Sequence, residues 1–282
     1  AAQSFASRYK TRLPVFKYSC KAKEVTMSQN QQAVYVCAIV EGKLWLPNAQ
    51  LPCMPLSRLS FSASDTLVVG HYQGVPVVGL FNCNSMLPVD ELAGLRDLLA
   101  LLPAPLFALV GRVVQLDVMR QQQAFCGRCG QRAGFDVKAV AMWCEHCHRF
   151  DYPRVSPCVI VAVRDGKRLL LAQHPRHKTG MYTVIAGFVE PGETLEQCVA
   201  REVKEETGLS VTNIRYMESQ PWAFPSNVMM GFLADYAGGD VKPDYEELTD
   251  AQWFDMDRLP PVAPEGTIAR RLINASCALA RS

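Results

Sequence analysis

The sequence predicts an α/β (α+β) fold: a sandwich of helices around a mixed sheet, preceded by a four-cysteine zinc ribbon and a mostly β N-terminal domain. Three observations predict it. Strand-like runs joined by short glycine turns fill residues 31–87, and two C-x2-C pairs stand at 126–147. Further strand-like runs lie on both sides of an amphipathic helix near 194–207. We place the domain boundaries at 1–122, 123–150 and 151–282.

The composition is that of a soluble globular chain that is almost neutral. Of 282 residues, 49% are apolar and 20% are charged, and 29 basic against 27 acidic residues give a net charge of +2. This balance gives no electrostatic reason to expect DNA as a partner. No stretch approaches the ~20 apolar residues of a membrane span, and the first residues show no apolar signal core. We therefore expect a cytoplasmic protein without a membrane partner.

Two β hairpins are predicted in the N-terminal domain. The runs VYVCAIV and LWLP surround Glu41-Gly42-Lys43, and the runs TLVVGHY and VPVVGLF surround Gln73-Gly74. The leucine spacing of PVDELAGLRDLLALLP, with a proline at its start, predicts a helix over 88–103. The first 120 residues contain no catalytic constellation, which favours a structural or substrate-side role.

Four cysteines are spaced as ligands of one zinc ion rather than as a redox pair. They form two C-x2-C pairs separated by fourteen residues: Cys126, Cys129, Cys144 and Cys147. Four sulfur donors complete the tetrahedral shell of Zn²⁺ and leave no open position, so the pattern predicts a structural site. His146 and His148 are expected to be solvent-side neighbours. The other seven cysteines stand among apolar residues and are expected to be buried free thiols.

The C-terminal domain is expected to open with a hairpin, in which Asp165-Gly166 joins CVIVAV to RLLLAQ. The central helix begins at a capping box formed by Thr194 and Gln197, and Gly208 suits its left-handed end. A buried stripe repeats every four residues, at Leu195, Val199 and Val203. Strands over 211–217 and 227–236 and a last helix near 264–280 are expected to follow.

Three carboxylates share one face of the central helix. Glu202, Glu205 and Glu206 stand at positions i, i+3 and i+4, and two carboxylates ~6 Å apart repel by about 2–3 kcal/mol at an effective dielectric of ~20. Such a face is either a solvated charged surface or the site of a multivalent cation. Glu193 can add a fourth carboxylate, and Arg201 can brace one from the side. Oxygen ligands without His or Cys favour Mg²⁺ or Mn²⁺.

The spacing around these residues resembles the Nudix box of the Nudix hydrolases. Gly187 is followed after five residues by Glu193 and after seven more by the run REVKEETGL over 201–209, which fits the box without a departure. The resemblance implies a Nudix α/β/α sandwich whose loop–helix–loop binds divalent metal. It also implies cleavage of a nucleoside diphosphate linked to another group.

A second array, SQPWAFPSN over 219–227, resembles the SQPWPFPxS array of the NADH pyrophosphatase family. That family also has a four-cysteine zinc ribbon immediately before its Nudix domain. Ala223 stands where the array has a proline, and the closing serine falls on Asn227 with Ser226 one place early. The resemblance covers residues 110–282 and is thin before them.

The resemblance also implies which residues form the site. Catalytic metal would be bound by the backbone carbonyl of Ala186 and by four carboxylates, those of Glu202, Glu205, Glu206 and Glu247; Glu206 would be the one most needed for catalysis. The aromatic rings that sandwich a base would be those of Tyr152 and Phe188. The other substrate contacts would come from Gln220, Pro221, Trp222, Ala223, Phe224, Pro225, Ser226, Asn227, the backbone of Ala269, and Arg96.

The implied reaction is hydrolysis of the pyrophosphate of NADH or NAD⁺ to NMN(H) and AMP, with Mg²⁺ or Mn²⁺ as the catalytic metal and Zn²⁺ as the structural one. An RNA that begins with NAD presents the same pyrophosphate, so removal of NAD caps is implied as well. The family's enzymes are commonly homodimers. Two alternatives stay open: a Nudix diphosphatase for ADP-ribose or dinucleoside polyphosphates, and a zinc-ribbon module that binds RNA without catalysis.

Overall fold

The computed structural model of the chain describes residues 31–59, 65–83, 87–175 and 180–281. They fold into two units. The first contains the described residues up to Ala93 together with Pro105–Val113 and Gln123–Tyr152; the second contains Gly94–Ala104, Val114–Gln122 and the described residues from Pro153 onward. The three-part division at 122/123 and 150/151 stays a prediction.

A six-stranded sheet forms the N-terminal part of the first unit. Its spatial order is β4 (Thr66–Tyr72), β5 (Val75–Leu80), β1 (Ala33–Val40), β2 (Lys43–Trp45) and β6 (Leu92–Ala93), with β3 (Cys53–Pro55) paired to β1. Both predicted hairpins are confirmed, because Val40 pairs with Lys43 and Tyr72 pairs with Val75. The valines of β1 and β5 supply the buried core of this sheet.

The predicted helix over 88–103 is wrong. Leu92–Ala93 instead form β6 against β2, and the indole nitrogen of Trp45 donates to the Glu91 carboxylate at 2.6 Å. Leu95–Leu98 form only a short 3-10 turn, which buries both of its terminal leucines. The leucine spacing therefore reflects burial in a turn, and pairing at the sheet edge overrides helix propensity.

Helix α1 (Ala104–Gln122) was not predicted from the sequence. It is apolar on most sides, so it lacks the one-sided pattern of a surface helix. Within the first unit it lies directly on the sheet at two glycines. A Cβ at Gly70 would lie 2.6 Å from Leu109 Cδ2, and one at Gly79 would lie 2.8 Å from Val113 Cγ1.

The cysteine-rich segment forms a three-stranded antiparallel ribbon in the first unit. Its strands are β7 (Gly134–Asp136), β8 (Ala141–Cys144) and β9 (Arg149–Asp151), with β8 in the middle. Each strand is only three or four residues long. So small a sheet buries little apolar surface, which is why a metal-binding cluster suits it.

The second unit is built on a mixed sheet, as predicted. Its spatial order is β13 (Ser210–Trp222), β14 (Asn227–Gly238), β10 (Ser156–Asp165), β11 (Arg168–Gln173) and β15 (Asp250–Asp255), with β12 (Ile185–Phe188) paired to β10. β10 and β14 run parallel, and the other pairs are antiparallel. The hairpin at Asp165-Gly166 is confirmed by pairing of Asp165 with Arg168.

Among the described residues, two helices lie wholly in this unit. The predicted central helix is confirmed as α2 (Leu195–Thr207): Thr194 and Gln197 form the capping box, and Gly208 ends the helix with φ of 75°. The apolar stripe of α2 packs on the valines of β10 in one buried cluster. The last helix, α3 (Ile268–Ala280), starts four residues later than expected because Thr267 is its N-cap.

Four of the scattered cysteines are buried thiols as predicted: Cys37, Cys83, Cys158 and Cys198. The prediction is wrong for Cys53, which is exposed on the short strand β3, and Cys277 is only partly buried. Cys20 lies outside the described residues. None of the described helices is long and apolar enough to cross a membrane.

Asp117 on α1 is a carboxyl group in an apolar environment. Its side chain accepts from Gln121 Nε2 at 2.7 Å, and the residue is 6% exposed. Burial raises the pKa of Asp117 from 3.8 to about 6, although Arg120 opposes the shift. Because the folded-state pKa lies above the unfolded one, this group's stabilising contribution is complete below pH 3.8 and is lost as the pH rises through 6.

We predict that Asp117→Asn is more stable than the unaltered chain at neutral and alkaline pH, because the amide cannot ionise in this site. Urea denaturation at about pH 8 should show a gain on the order of 1 kcal/mol in the free energy of unfolding. The gain should disappear at about pH 4, where the native carboxyl is protonated. A gain of equal size at both pH values would contradict the assignment.

Candidate active site and zinc site

The four predicted cysteines converge on one point. Their Sγ atoms all lie within 4.8 Å of one another, and among the described residues no other Cys, His, Asp and Glu side chains form such a tight group. Cys126 and Cys144 are buried. Backbone amides of Arg128 and Cys129 donate to the Cys126 sulfur and lower its pKa to about 6. Four sulfurs in a closed cluster fit a structural zinc ion.

The two histidines beside the last cysteine pair, His146 and His148, are exposed as expected. The Nδ1 atom of His146 lies 3.8 Å from the Sγ atom of Cys147. Since the cluster already offers four sulfurs, a tetrahedral zinc ion needs neither imidazole as a ligand.

Gly187 leaves room for the Glu202 carboxylate beside the backbone of β12. A Cβ at Gly187 would overlap the carboxyl carbon and both oxygens of Glu202. β12 is held in place by antiparallel pairing of Val159 with Gly187 and of Ile160 with Ala186. The glycine of the box therefore has a steric function here: it lets the first carboxylate of α2 approach the strand that ends in Phe188.

Arg201 holds the acidic face together. Its guanidinium donates to both oxygens of Glu193, at 3.0 and 2.6 Å, and to one oxygen each of Glu202 and Glu205, at 2.9 Å. A further bond to the backbone carbonyl of Phe188, at 2.9 Å, ties α2 to β12. The expected bracing by Arg201 is thus more extensive than the sequence indicated.

Glu193 is bound to Arg201 instead of standing as a further free carboxylate on the acidic face. The guanidinium, together with the amide of Glu190, holds the pKa of Glu193 down at about 2. Glu202 shows the opposite shift: burial raises its pKa, and the charges of Glu205 and Glu247 add to the rise. Glu202 is therefore a carboxylate under electrostatic strain, which a bound cation would relieve.

Glu206 is the most buried carboxylate of α2, at 2% exposure, whereas Glu205 is exposed.

Glu247 lies in the loop before β15, and backbone hydrogen bonds attach this loop to the end of α2. The amide of Asp244 donates to the Glu206 carbonyl at 2.9 Å, and that of Lys242 donates to the Thr207 carbonyl at 2.8 Å. This attachment brings Glu247 within electrostatic range of Glu202.

The donors on this face suit a hard divalent cation. They are the carboxylates of Glu202, Glu205, Glu206 and Glu247 with the nearby carbonyl of Ala186, and the group contains no sulfur or imidazole. Gly187 keeps space for Glu202, and Arg201 donates to only one oxygen each of Glu202 and Glu205. The residues present therefore fit Mg²⁺ or Mn²⁺.

The array over 219–227 ends β13, forms the turn and begins β14. The rings of Trp222 and Phe224 lie 4.8 Å apart, and the guanidinium of Arg96 lies 4.7 Å from the centre of the Phe224 ring. The structure thus brings Arg96 to the array, and its contact with a substrate stays a prediction. Pro221 and Pro225 are exposed beside these rings, whereas Ala223 is buried.

The side chains of two residues of the array make hydrogen bonds within and around the turn. Ser226 is buried; it donates to the carbonyl of Arg154 at 2.7 Å and accepts from Gln115 Nε2 at 3.2 Å. Asn227, also buried, donates to the carbonyl of Phe224 at 3.1 Å. Both side chains therefore fix the shape of the turn that presents Trp222 and Phe224.

Gln220 connects the array to helix α3, a link for which the sequence contains no signal. Its amide nitrogen donates to the carbonyl of Gly266 at 2.9 Å, and its amide oxygen accepts from the backbone of Ile268 at 2.7 Å. Arg271 adds an ion pair with Glu218 on the same strand. These bonds fix the backbone next to Ala269, which is itself buried.

The two aromatic residues predicted to stack on a base are both open to solvent. Phe188 is 55% exposed at the end of β12, and Tyr152 is 58% exposed after β9. Their pairing around one base stays a prediction.

The fold and the acidic face define the class of protein to which the chain belongs. The family model described as the NUDIX domain matches residues 153–275, a range that contains the mixed sheet, α2 and most of α3. The described geometry of β12, Gly187 and α2 lies inside this match.

The relatives narrow the class further. The NAD-capped RNA hydrolase NudC of Vibrio vulnificus is 52% identical over 255 residues, which cover 90% of this chain and 97% of that protein. The protein of the same name from Photobacterium profundum is 52% identical over 258 residues, covering 92% and 96%. A solved NUDIX hydrolase from Nitrosomonas europaea is similar at a TM-score of 0.47 and 24% identity, over 56% of this chain and 91% of that one. The chain belongs to the NudC family of Nudix hydrolases, which confirms the resemblance drawn from its motifs.

We predict that Gly187→Ala displaces Glu202 and lowers hydrolytic turnover by at least about tenfold, because a small misplacement of a catalytic group is costly. The measurement is steady-state turnover with Mg²⁺, beside circular dichroism to verify the fold. The matched comparison is a double-mutant cycle with Glu202→Ala. If displacement of Glu202 is the cause, Gly187→Ala adds little once Glu202 is absent; fully additive losses would contradict the steric account.

Proposed function

We propose that the chain hydrolyses the pyrophosphate bond of NADH and NAD⁺ to NMN(H) and AMP, and that it removes NAD caps from the 5′ ends of RNA. The single observation that carries the proposal is the acidic face of α2, braced by Arg201 and opened by Gly187. The relatives that share about half of its residues are named as hydrolases of NAD-capped RNA. The SQPW array supports a dinucleotide over other nucleoside diphosphate derivatives.

The proposed reaction breaks one P–O bond and forms another. The oxygen of a water molecule attacks one phosphorus of the pyrophosphate, and the bridging oxygen leaves with the bonding electron pair on the other phosphate. The protons of the water are released, and each nucleotide carries away one monophosphate group. No oxidant or reductant takes part, so NADH and NAD⁺ are cleaved by the same step.

The acidic side chains would hold the catalytic metal. Mg²⁺ or Mn²⁺ bound by Glu202, Glu205, Glu206, Glu247 and the Ala186 carbonyl would neutralise phosphate charge and lower the pKa of water. The chain itself supplies the positioning. Arg201 fixes Glu202 and Glu205 at 2.9 Å, and the loop after Asp240 carries Glu247 to the same face. A rigid arrangement of this kind needs no reorganisation during the reaction.

Substrate recognition would rely on aromatic rings and one cation. Arg96 against Phe224 offers a positive charge beside two rings, which suits a phosphate next to a base. Tyr152 and Phe188 would stack on a base of the dinucleotide, and the backbone at Ala269, fixed by Gln220, would give a further contact. Zinc in the ribbon, a cytoplasmic location and a homodimer complete the proposal.

We predict that Glu206→Gln abolishes release of AMP from NADH while leaving the zinc content and the fold unchanged, because the amide keeps the shape but loses the negative charge. The assay follows AMP and NMNH by chromatography at saturating Mg²⁺. The matched control is Glu196→Gln, the same change on an exposed position in the first turn of α2, which should retain activity.

Near-unaltered cleavage of NADH by Glu206→Gln would contradict the role of this carboxylate. A substrate panel tests the specificity separately. Faster cleavage of ADP-ribose or dinucleoside polyphosphates than of NADH and NAD-capped RNA would replace the proposed substrate while leaving the proposed catalytic face in place.

A further inference from the structure

The sheet of the second unit divides beside β10. β10 pairs with β12 over its first half and with β11 only at its end. The segment that leads into β12 joins β11 through a bridge between Thr183 and Ala172, and Ala172 pairs on its other side with Ala251 of β15. This segment and β15 are therefore neighbours of β11 on opposite sides. The segment leads to the carbonyl of Ala186, and β15 follows Glu247 in the chain.

A side-chain link crosses β11 at this point. The antiparallel bridge places Tyr182 opposite Gln173, which itself pairs with Asp250 of β15. The hydroxyl of Tyr182 donates to the Asp250 carboxylate at 2.5 Å, and the amide nitrogen of Gln252 donates to the same oxygen at 2.6 Å. The carboxylate raises the pKa of Tyr182, so the phenol keeps its proton and remains the donor. The link spans two strand spacings of about 4.8 Å each, whereas backbone pairing connects only adjacent strands.

The ring and the backbone of Tyr182 have contacts of their own. The ring lies edge-on to that of Phe254, 4.8 Å away, which shares one face of β15 with Asp250. The amide of Tyr182 donates to the Pro261 carbonyl at 2.9 Å, and its carbonyl accepts from the Ala263 amide at 3.2 Å. Loss of the hydroxyl alone therefore leaves the residue in place and removes its link to Asp250.

The loop that carries Glu247 is attached at both ends. The upstream attachment is the pair of backbone bonds to α2 described above. Downstream, the amide and the hydroxyl of Thr249 donate to the Gln173 carbonyl at 2.8 and 3.0 Å, and Asp250 then accepts from Tyr182. Glu247 itself is exposed, so the direction of its carboxylate depends on these attachments more than on packing around it.

We propose that Tyr182 is a positioning residue of the divalent-metal site: through Asp250 it fixes the distance between the Glu247 carboxylate and the Ala186 carbonyl, and it thereby favours Mg²⁺ over the larger Ca²⁺. The inference rests on the proposed function, because it concerns the same site. Mg²⁺ requires a near-ideal octahedron of close oxygens, whereas Ca²⁺ accepts longer and more flexible sets of ligands. A looser distance between two donors therefore weakens Mg²⁺ binding more than Ca²⁺ binding.

The test measures metal binding directly. The zinc-loaded full chain is titrated with Mn²⁺, electron paramagnetic resonance gives the free Mn²⁺, and Mg²⁺ and Ca²⁺ affinities follow from displacement. We expect Tyr182→Phe to weaken Mg²⁺ binding about tenfold, as is typical when a residue that orients a metal ligand is lost, and Ca²⁺ binding by about twofold or less. The matched control is Tyr216→Phe, the same change on a 56% exposed ring of β13, which should leave both affinities unchanged.

A double-mutant cycle tests whether the hydroxyl acts through its partner. Once Asp250→Ala has removed the acceptor, Tyr182→Phe should cause no further change in the ratio of Mg²⁺ to Ca²⁺ affinity. Additive changes in that ratio would overturn the proposal. Equal losses for the two ions in the single variant Tyr182→Phe, or no loss for either, would overturn it as well.

Glu206→Gln distinguishes failure of this inference from failure of the proposed function. If Glu206→Gln loses Mn²⁺ binding while Tyr182→Phe keeps both affinities, the proposed metal site stands and the positioning role is overturned. If Glu206→Gln binds Mn²⁺ as tightly as the unaltered chain, the acidic face is not the metal site and both proposals fail. A lower melting temperature of metal-free Tyr182→Phe with an unchanged affinity ratio would assign the hydroxyl to fold stability and overturn its role at the metal site.

Discussion

The site depends on the ion pairs that the guanidinium of Arg201 makes with the surrounding carboxylates. Three carboxylates within one loop and helix would repel one another, and a cation in the middle of them turns that repulsion into attachment. Because Arg201 also bonds the Phe188 carbonyl, the same group ties α2 to β12. Arg201 therefore fixes these carboxylates relative to β12, and a divalent ion bound there would compensate the remaining negative charge.

Other contacts of the second unit position the remaining groups of the site next to Arg201 and its carboxylates. Pairing of β12 with β10 fixes Gly187 and the Ala186 carbonyl, and backbone bonds from Lys242 and Asp244 carry Glu247 to the end of α2. Gln220 joins the aromatic array to the start of α3. These contacts are made by backbone groups or by the Gln220 side chain, whose amide nitrogen and oxygen are both hydrogen-bonded. Such supporting bonds keep the geometry of a site fixed when charged ligands bind.

Much of this could be predicted from the sequence where a pattern was local. The cysteine spacing, the limits of α2, the Asp165-Gly166 hairpin and the mixed sheet followed from ligand chemistry, capping and turn signals. Helix α1 was not predicted because it is apolar on most sides and shows no one-sided pattern. A helix was wrongly predicted over 88–103 because the pairing of β6 with β2 is a long-range contact. The links made by Gln220 and Asp244 could not be predicted either, since each joins residues that are distant in the chain or use backbone atoms alone.

The most direct test of the central claim is anomalous diffraction at the manganese edge from crystals of the full chain soaked with Mn²⁺ and a non-hydrolysable NAD analogue. Metal density bounded by Glu202, Glu205, Glu206 and Glu247, with the pyrophosphate against it and Arg201 still holding Glu193, is the expected result. An acidic face without metal, and an analogue bound at some other surface, would contradict the account.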